Sequence, residues 1–187
     1  GQVNQHVSVP EVDAEGDLAQ QVNAEIQERV DAHLAQAQQV WEDYHDAFIA
    51  TGGTEDEWSQ REMNVDVNYE IKSQMDTTVS FVVTMTQDMF DAYNEQTYYN
   101  LDIAADKDIT LADVLGEDWV NICNAAVQTY IDQDTTGLFF SADEGGFTTV
   151  DEATSFYLNE DGSVTLVFPE YTIAAGAAGI VEIPVAG

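Results

Sequence analysis

A long amphipathic stripe near the start of the chain constrains the fold more than any other feature. Between positions 18 and 48 the apolar residues recur every three or four positions, which is the spacing of one helix face. They are Leu18, Val22, Ile26, Val30, Leu34, Ala37, Trp41, Tyr44 and Phe48. The pair Gly52–Gly53 ends the pattern. Because its rhythm drifts from a strict heptad, the stripe predicts a helix about 45 Å long that packs on a sheet, and not a coiled-coil zipper.

Strand patterns follow the predicted helix. Residues 65–71 and 79–85 are apolar at every second position and rich in β-branched side chains. This period predicts two half-buried strands that form a hairpin. A third strand is predicted over residues 98–103, after an acidic loop.

A second helix is predicted after these strands. Thr110 and Asp113 have the spacing of a helix capping box, and the apolar stripe from Trp119 to Ile131 continues the helix. Cys123 falls on the core-facing side of this stripe, where a buried and unreactive thiol is expected. As the single cysteine it excludes an internal disulfide and a cysteine metal cluster.

The last third of the sequence has the pattern of strands. Residues 154–168 predict a hairpin whose tight turn is Asp161–Gly162. In the segment YTIAAGAAGIVEIPV (171–185), the small residues predict a close turn before an edge strand, because Pro184 cannot donate a ladder hydrogen bond. The segment has neither the G-x-G-x-x-G spacing nor a following Lys or Arg. A phosphate-binding loop is therefore excluded there.

This order of helix, strands, helix and strands predicts an α+β fold. We expect antiparallel sheets, with the long N-terminal helix and the second helix packed on one face. We also expect two lobes. The first is a smaller N-terminal α+β domain over residues 1–95, and the second is an α+β domain over residues 96–187.

The charge of the chain excludes several classes of partner. With 36 acidic and 4 basic residues, the formal net charge is -32. Such a chain repels phosphate backbones and anionic lipid, so we expect no nucleic acid as a partner. The charge suits a cationic partner protein, divalent ions or a high-salt environment, and an acidic face that only keeps an exported domain soluble would have the same composition.

No stretch of 18 consecutive apolar residues occurs, so no segment of this sequence is predicted to span a bilayer. The chain begins Gly1–Gln2 without an initiator Met. This start suggests that an N-terminal part was removed, which could have carried a signal peptide, a membrane helix or a cytoplasmic region. We expect attachment to a membrane only through such a segment.

The sequence contains no catalytic motif. G-x-S-x-G, the P-loop motif and H-E-x-x-H are missing, and acidic pairs are too common in this chain to indicate a catalytic pair. The three histidines, His6, His33 and His45, are expected to be surface or packed residues. We therefore predict a protein that is not an enzyme and that uses no cofactor.

One loop has part of the pattern of a calcium site. DQDTTGLFFSAD places oxygen-bearing side chains at positions 1, 3, 5 and 12 of an EF-hand loop and a glycine at position 6. The side chains are Asp132, Asp134, Thr136 and Asp143. Thr136 is a weaker ligand than Asp, Asp143 is shorter than the usual Glu, and no helix is predicted after the loop. A polar loop after a helix is the favoured interpretation.

Two long segments are similar to a known family. They are YYNLDIAADKDITLADVLGEDWVNICNAAV and FYLNEDGSVTLVFPEYTIAAGAAGIVEIPV. They resemble the extracytoplasmic domain of RsiV-type anti-sigma factors, a domain that is also attached to secreted PdaC-like polysaccharide deacetylases. The matching residues are Asn100-Leu101-Asp102, Thr110-Leu111, Asp113, Phe156-Tyr157-Leu158, Asp161-Gly162, Tyr171, Ile173-Ala174, Ala178-Gly179-Ile180 and Ile183-Pro184. Ala175 and Gly176 stand where many relatives have Pro and an aromatic residue. The matching positions are turn, cap and core positions.

The resemblance implies a non-catalytic, extracytoplasmic role at the surface of a Gram-positive-type bacterium, with attachment through a membrane helix. RsiV-like proteins are receptors for lysozyme, a strongly basic protein, and its binding exposes the anti-sigma factor to proteolysis. The alternative is an accessory domain of a secreted deacetylase that associates with cell-wall glycan. We predict that exposed aromatic residues beside acids contact the partner, namely Tyr98, Tyr99, Asp143, Glu144 and Phe147.

Overall fold

The computed structural model describes residues 1–89 and 93–186 and has the α+β fold that the sequence predicts. The helices are α1 (Asp17–Ala50), α2 (Glu55–Trp58), α3 (Leu111–Leu115) and α4 (Trp119–Asp132). The strands are β1 (Gln2–Val7), β2 (Glu62–Gln74), β3 (Thr78–Gln87), β4 (Tyr93–Asp102), β5 (Lys107–Asp108), β6 (Ser155–Leu158), β7 (Val164–Phe168) and β8 (Val181–Val185). Short 3₁₀ turns cover Ala142–Glu144 and Gly176–Ala178.

The chain forms two compact units. The first unit consists of Gly1–Glu70 and Val82–Thr97, and the second unit consists of Ile71–Phe81 and Tyr98–Gly187. Each unit therefore contains parts of β2, β3 and β4. The division into independent domains at residues 95 and 96 stays a prediction.

The predicted long helix is confirmed as α1, which has 34 residues and is therefore about 51 Å long. Its buried face follows the predicted stripe as far as Trp41, with Ala19 and His33 in addition, while the stripe residues Leu34, Tyr44 and Phe48 are partly buried. The buried residues are Leu18, Ala19, Val22, Ile26, Val30, His33, Ala37 and Trp41. Trp41 and Ala37 pack with Met63 and Val65 of β2, which explains why the stripe is apolar.

The first sheet has five strands in the order β1-β2-β3-β4-β5. Its predicted hairpin is confirmed, with β2 and β3 joined by residues 75–77. Strand β1 was not predicted; it pairs in parallel with β2 from Gln2 opposite Glu62 to Val7 opposite Val67. Four of the six residues of QVNQHV are polar, and Gln5 interrupts the alternation of polar and apolar residues, so the sequence carries no clear strand signal here. The strand lies at the sheet edge, and its neighbour is about sixty residues away in sequence.

The predicted second helix is divided in two. Its capping box is confirmed, since the backbone N–H of Asp113 donates to Thr110 Oγ1 at 3.1 Å and that of Thr110 donates to Asp113 Oδ2 at 2.9 Å. The prediction of one continuous helix was wrong, because α3 ends before Gly116. The φ of 85° at Gly116 is a left-handed value that favours glycine. Cys123 in α4 is fully buried as predicted, and burial raises the pKa of its thiol.

The second sheet has the order β6-β7-β8, and both pairs are antiparallel. The predicted hairpin over residues 154–168 is confirmed as β6 and β7, and β8 is an edge strand as expected. One sheet face packs with α3 and α4 into the core of the second unit. The central residues of that core include Cys123, Val127, Leu166 and Ile183.

A buried polar junction holds the free edge of β6. Asn100 Nδ2 donates to the carbonyl oxygen of Phe156 at 2.9 Å, and Ser80 Oγ accepts from the backbone N–H of Leu158 at 3.0 Å. Ser80 also donates to Asn100 Oδ1 at 2.6 Å. Both polar residues are buried. Two backbone groups of an edge strand are thereby satisfied by side chains of β3 and β4.

We predict that Asn100→Ala lowers the free energy of unfolding by about 2–3 kcal/mol, because it removes the side-chain donor to the Phe156 carbonyl and the acceptor for the Ser80 hydroxyl hydrogen, both of them buried. Denaturant unfolding followed by circular dichroism measures the change. The matched control is Asn68→Ala on the exposed face of β2, for which we expect a change within about 0.5 kcal/mol. Equal effects of the two substitutions would contradict the role of Asn100.

Candidate functional site

A pocket of about 540 Å³ lies where α1 is followed by α2, within the first unit. Its lining residues are Gln38, Trp41, Glu42, His45, Asp46, Glu55 and Trp58. We call it the acidic pocket, because three of the seven residues are carboxylic acids and the lining contains neither Lys nor Arg.

Helical periodicity places the α1 part of this lining on one face. Gln38, Trp41, Glu42, His45 and Asp46 occupy positions i, i+3, i+4, i+7 and i+8 of α1. Residues at these spacings lie above one another on a helix surface. The last three turns of α1 therefore present an indole, an imidazole and two carboxylates on one face.

A tight turn brings α2 back beside α1. Gly53 lies so close to the Phe48 ring that a Cβ atom would come within 2.3 Å of Phe48 Cε1, so a larger residue would have to displace the ring. Thr54 then caps α2, since its hydroxyl accepts from the backbone N–H of Glu57 at 3.3 Å while Glu57 Oε2 accepts from the Thr54 N–H at 2.9 Å. The backbone hydrogen bond from Thr54, and then that of its hydroxyl, lowers the pKa of Glu57.

Trp58 anchors the short helix. Its ring centroid lies 4.5 Å from that of Trp41 and 5.4 Å from that of Tyr44. Both tryptophans are more than 90% buried, and they belong to the core cluster that includes Met63 and Val65. The aromatic side of the pocket is therefore part of the core of the unit, and its geometry is set by packing.

His45 lies between two carboxylates of the pocket. Its Nδ1 is 3.2 Å from Asp46 Oδ1, and its Nε2 is 3.1 Å from Glu55 Oε1. Its ring meets the Trp58 ring edge-on at 5.1 Å. The hydrogen bond with Asp46 raises the pKa of His45 above its ordinary value, and the hydrogen bond and charge of Glu55 act in the same direction.

Two of the four basic residues form ion pairs within the protein. Arg29 contacts Glu25 at 2.9 Å (Nε to Oε1) and Glu95 at 3.1 Å (Nη1 to Oε1). Lys107 Nζ contacts Asp113 Oδ1 at 3.2 Å. These cations neutralise carboxylates of the chain itself.

The other two basic residues lie over aromatic rings. Arg61 donates to the Tyr44 hydroxyl at 2.8 Å, and its guanidinium carbon lies 4.5 Å from the Phe48 ring centroid. Lys72 Nζ lies 4.7 Å from the Tyr157 ring centroid. All four Lys and Arg side chains therefore contact groups of the chain itself.

The predicted contact residues Tyr98 and Tyr99 have different surroundings, both in the second unit. Tyr99 is buried, with 6% of its surface exposed, and it stacks on Phe81 at a centroid distance of 5.1 Å. Tyr98 is half-buried and stacks on Tyr157 at 5.8 Å. Tyr99 is therefore a core residue that presents little surface to a partner, whereas part of Tyr98 is accessible.

The predicted residues Asp143 and Glu144 lie in the 3₁₀ turn Ala142–Glu144 and are exposed. Glu144 Oε2 accepts from the Ser141 N–H at 3.3 Å as part of a capping box. Phe147 packs against the core of the second unit and meets Phe168 edge-on at 5.7 Å. The two acids are open to a partner, and the aromatic residue contributes mainly to the core.

The calcium candidates Asp132, Asp134, Thr136 and Asp143 are not brought together as a metal-binding group. Within residues 1–89 and 93–186, no group of three or more His, Cys, Asp or Glu could hold a metal ion. Asp132 Oδ1 accepts from Gln128 at 2.7 Å, and Asp134 Oδ2 accepts from the backbone N–H groups of Thr136 and Gly137. The carboxylate of Asp134 thus shapes the local turn.

The acidic pocket was missed by the sequence analysis. The α1 spacing was visible, but only Gly52–Gly53 was assigned, as the end of the helix, and no helix was predicted after it. The capping-box pair Thr54 and Glu57, which follows Gly52–Gly53, is the sequence signal that would have predicted the start of α2. His45 was predicted to be surface or packed, and its side chain is 32% exposed while it packs on Trp58.

Together the fold and the pocket define an acidic α+β protein whose candidate site is suited to contact with positive charge. Among the described residues, no helix is both long enough and apolar enough to cross a membrane. The sequence profile of the DUF3298 family, described as a protein of unknown function, matches residues 7–186. The chain therefore belongs to the DUF3298 family.

Two solved structures of this family are similar to the chain. One, from Bacteroides fragilis NCTC 9343, has a TM-score of 0.56 and 14% identity, over 87% of this chain and 65% of that chain. The other, from Pseudomonas aeruginosa PAO1, has a TM-score of 0.45 and 18% identity, over 66% of this chain and 58% of that chain. The chain thus spans less than two thirds of either relative. No curated protein matches it at a significant level.

We predict that the hydrogen bonds of His45 stabilise the first unit at low pH. A histidine whose pKa is raised by folding contributes stability that is fully present below its unfolded value of about 6.5. The contribution is lost as the pH rises through the folded pKa. The measurement is the difference in unfolding free energy between the wild type and His45→Gln across this pH range. A difference that grows with rising pH would contradict the assignment.

Proposed function

We propose that this chain is an extracytoplasmic binding module that senses a cationic protein such as lysozyme and catalyses no reaction. The observation that carries the proposal is the acidic pocket, whose three carboxylates lie beside two indole rings in a chain of net charge -32. Carboxylates and aromatic rings are the groups that proteins use to bind ammonium and guanidinium groups. A basic protein carries such groups on its surface.

The distribution of charge supports the same partner class. A net charge of this size steers a cationic protein toward the chain and raises the association rate, an effect that salt weakens. All four basic side chains contact groups of the chain itself. An anionic partner would therefore find no accessible cluster of positive charge, whereas a cationic one finds a large excess of carboxylates.

The resemblance to RsiV-type anti-sigma factors supplies the biological setting of the proposal. It supports a receptor that is attached to the cell surface through a segment outside this sequence. In that setting, binding of the cationic protein would expose an anti-sigma factor to proteolysis. Membership of the DUF3298 family is compatible with this role and does not by itself specify a ligand.

We predict that hen lysozyme binds the full chain at low salt with a dissociation constant in the micromolar range or below. Isothermal titration calorimetry at low and physiological salt measures the affinity. We expect weaker binding at physiological salt without complete loss, because packed aromatic contacts are not screened as surface charges are. Cytochrome c, another basic protein, serves as the control for unspecific charge attraction.

Paired variants locate the binding site. The double substitution Asp46→Asn with Glu55→Gln removes two charges from the acidic pocket, and we expect it to weaken lysozyme binding about tenfold. The matched control, Asp143→Asn with Glu144→Gln, removes two exposed charges from the predicted loop of the second unit. If the control variant lost more lysozyme affinity than the pocket variant, the binding site would instead be assigned to that loop.

Two results would overturn the lysozyme proposal. One is the lack of binding at micromolar concentrations in low salt. The other is equal binding of lysozyme and cytochrome c that disappears at physiological salt, since this would reduce the interaction to charge alone. Binding to peptidoglycan fragments without binding to lysozyme would instead favour the alternative role, an accessory domain of a wall deacetylase.

A further inference from the structure

The position of His45 within the acidic pocket carries an inference about how the pocket is regulated. The imidazole contacts Asp46 of α1 through Nδ1 at 3.2 Å and Glu55 of α2 through Nε2 at 3.1 Å. A neutral imidazole can donate from only one of its nitrogens, whereas an imidazolium donates from both. Both contacts are therefore donor hydrogen bonds only when His45 is protonated.

The remaining charged groups around His45 are all acidic. From α1 the pocket includes Glu42 and Asp46, and from α2 it includes Glu55. The other lining residues are Gln38, Trp41 and Trp58, which do not titrate. With His45 neutral the lining carries three negative charges, and with His45 protonated one of them is cancelled within the site.

We propose that His45 is a pH-dependent competitor for the partner's cation in the acidic pocket. As an imidazolium it ties Asp46 to Glu55 and holds both carboxylates, and as a neutral ring it releases them to an arginine side chain of the partner. The proposal rests on the proposed function, because it assumes that the pocket receives a cationic group.

The chemistry of the pocket favours arginine as that cation. A guanidinium group is planar, donates two parallel hydrogen bonds to a carboxylate and stacks on aromatic rings. The pocket offers three carboxylates to such a group, and its volume of about 540 Å³ is ample for one side chain. Trp41 and Trp58 belong to its lining but are more than 90% buried, so the carboxylates carry the preference. A compact ammonium group would be attracted by the same charges but cannot form this pair of parallel hydrogen bonds with one carboxylate.

The direction of the pH effect follows from the competition. Below the folded pKa of His45, a proton must leave before the arginine can take both carboxylates, so the affinity falls as the pH falls. If the arginine and the proton on His45 could not be bound together at all, the affinity for arginine would fall about tenfold for each pH unit below that pKa. By the same linkage, the bound ligand lowers the pKa of His45.

The test is a titration of the full chain with N-acetyl-arginine amide, followed by the indole N–H signals in NMR. We expect saturable shifts of the Trp41 and Trp58 signals at pH 8, and an affinity about tenfold lower at pH 5.5 than at pH 8. Trp119, which lies in the second unit, is the internal control and is expected not to shift. N-acetyl-lysine amide is expected to bind more weakly than the arginine amide.

Two variants test the role of His45 itself. His45→Gln keeps a polar side chain that cannot become charged, so the arginine amide is expected to bind it equally at both pH values. The matched control, His6→Gln, removes another histidine of the first unit that pairs with a carboxylate, Asp66, at 3.2 Å. That variant is expected to keep the pH dependence of the wild type.

Three results would overturn the inference. They are equal affinity of the wild type at both pH values, pH dependence that persists in His45→Gln, and no shift of the Trp41 and Trp58 signals at either pH. Direct titration of the His45 ring signals in the wild type adds a measurement that needs no variant, since its pKa must fall when the arginine amide is present.

The experiments with the arginine amide do not depend on lysozyme. If lysozyme binds without pH dependence, the proposed function stands and this inference fails. If the arginine amide binds as described and lysozyme does not bind, the proposed partner fails.

Discussion

The hydrogen bonds of Asn100 are the interaction on which the second unit depends. Its amide donates to the Phe156 carbonyl and accepts from Ser80, while its own backbone carbonyl accepts from the N–H of Ile109 at 2.8 Å. One buried residue thus connects β4 with β3, β6 and the segment after β5. Any shift in register would leave buried polar groups without partners, so the network specifies one arrangement as well as stabilising it.

The first unit depends on packing around Trp58. A helix of four residues such as α2 has no stability of its own in water. It is held by the Thr54 cap and by the contact between Trp58 and Trp41 of α1. The same contacts place Glu55 within hydrogen-bonding distance of His45. The candidate site is therefore a consequence of core packing, and its polar groups are positioned by aromatic residues beneath them.

Local patterns account for the parts of the fold that were predicted correctly. The stripe that begins at Leu18 faces the core along α1 and is mostly buried as far as Trp41. The Asp161–Gly162 turn joins β6 to β7, because turn chemistry acts over a few residues. The break at Gly116 was missed, since the capping box and the later stripe each matched a helix and only the backbone at Gly116 separates them. For the candidate site, Tyr99 was expected at the surface, and its contact with Phe81 from a neighbouring strand makes it a core residue.

The sequence by itself determined the α+β class, the long amphipathic helix, the Thr110 cap, the hairpins and the excess of negative charge. Each of these follows from composition or from residues close together in the chain. Tertiary structure alone decided the parallel pairing of β1 with β2, the partners of Asn100 and the meeting of His45 with Glu55. The physical reason is that these contacts join residues by long-range packing or across a turn, and neither residue periodicity nor propensity carries information about such pairs.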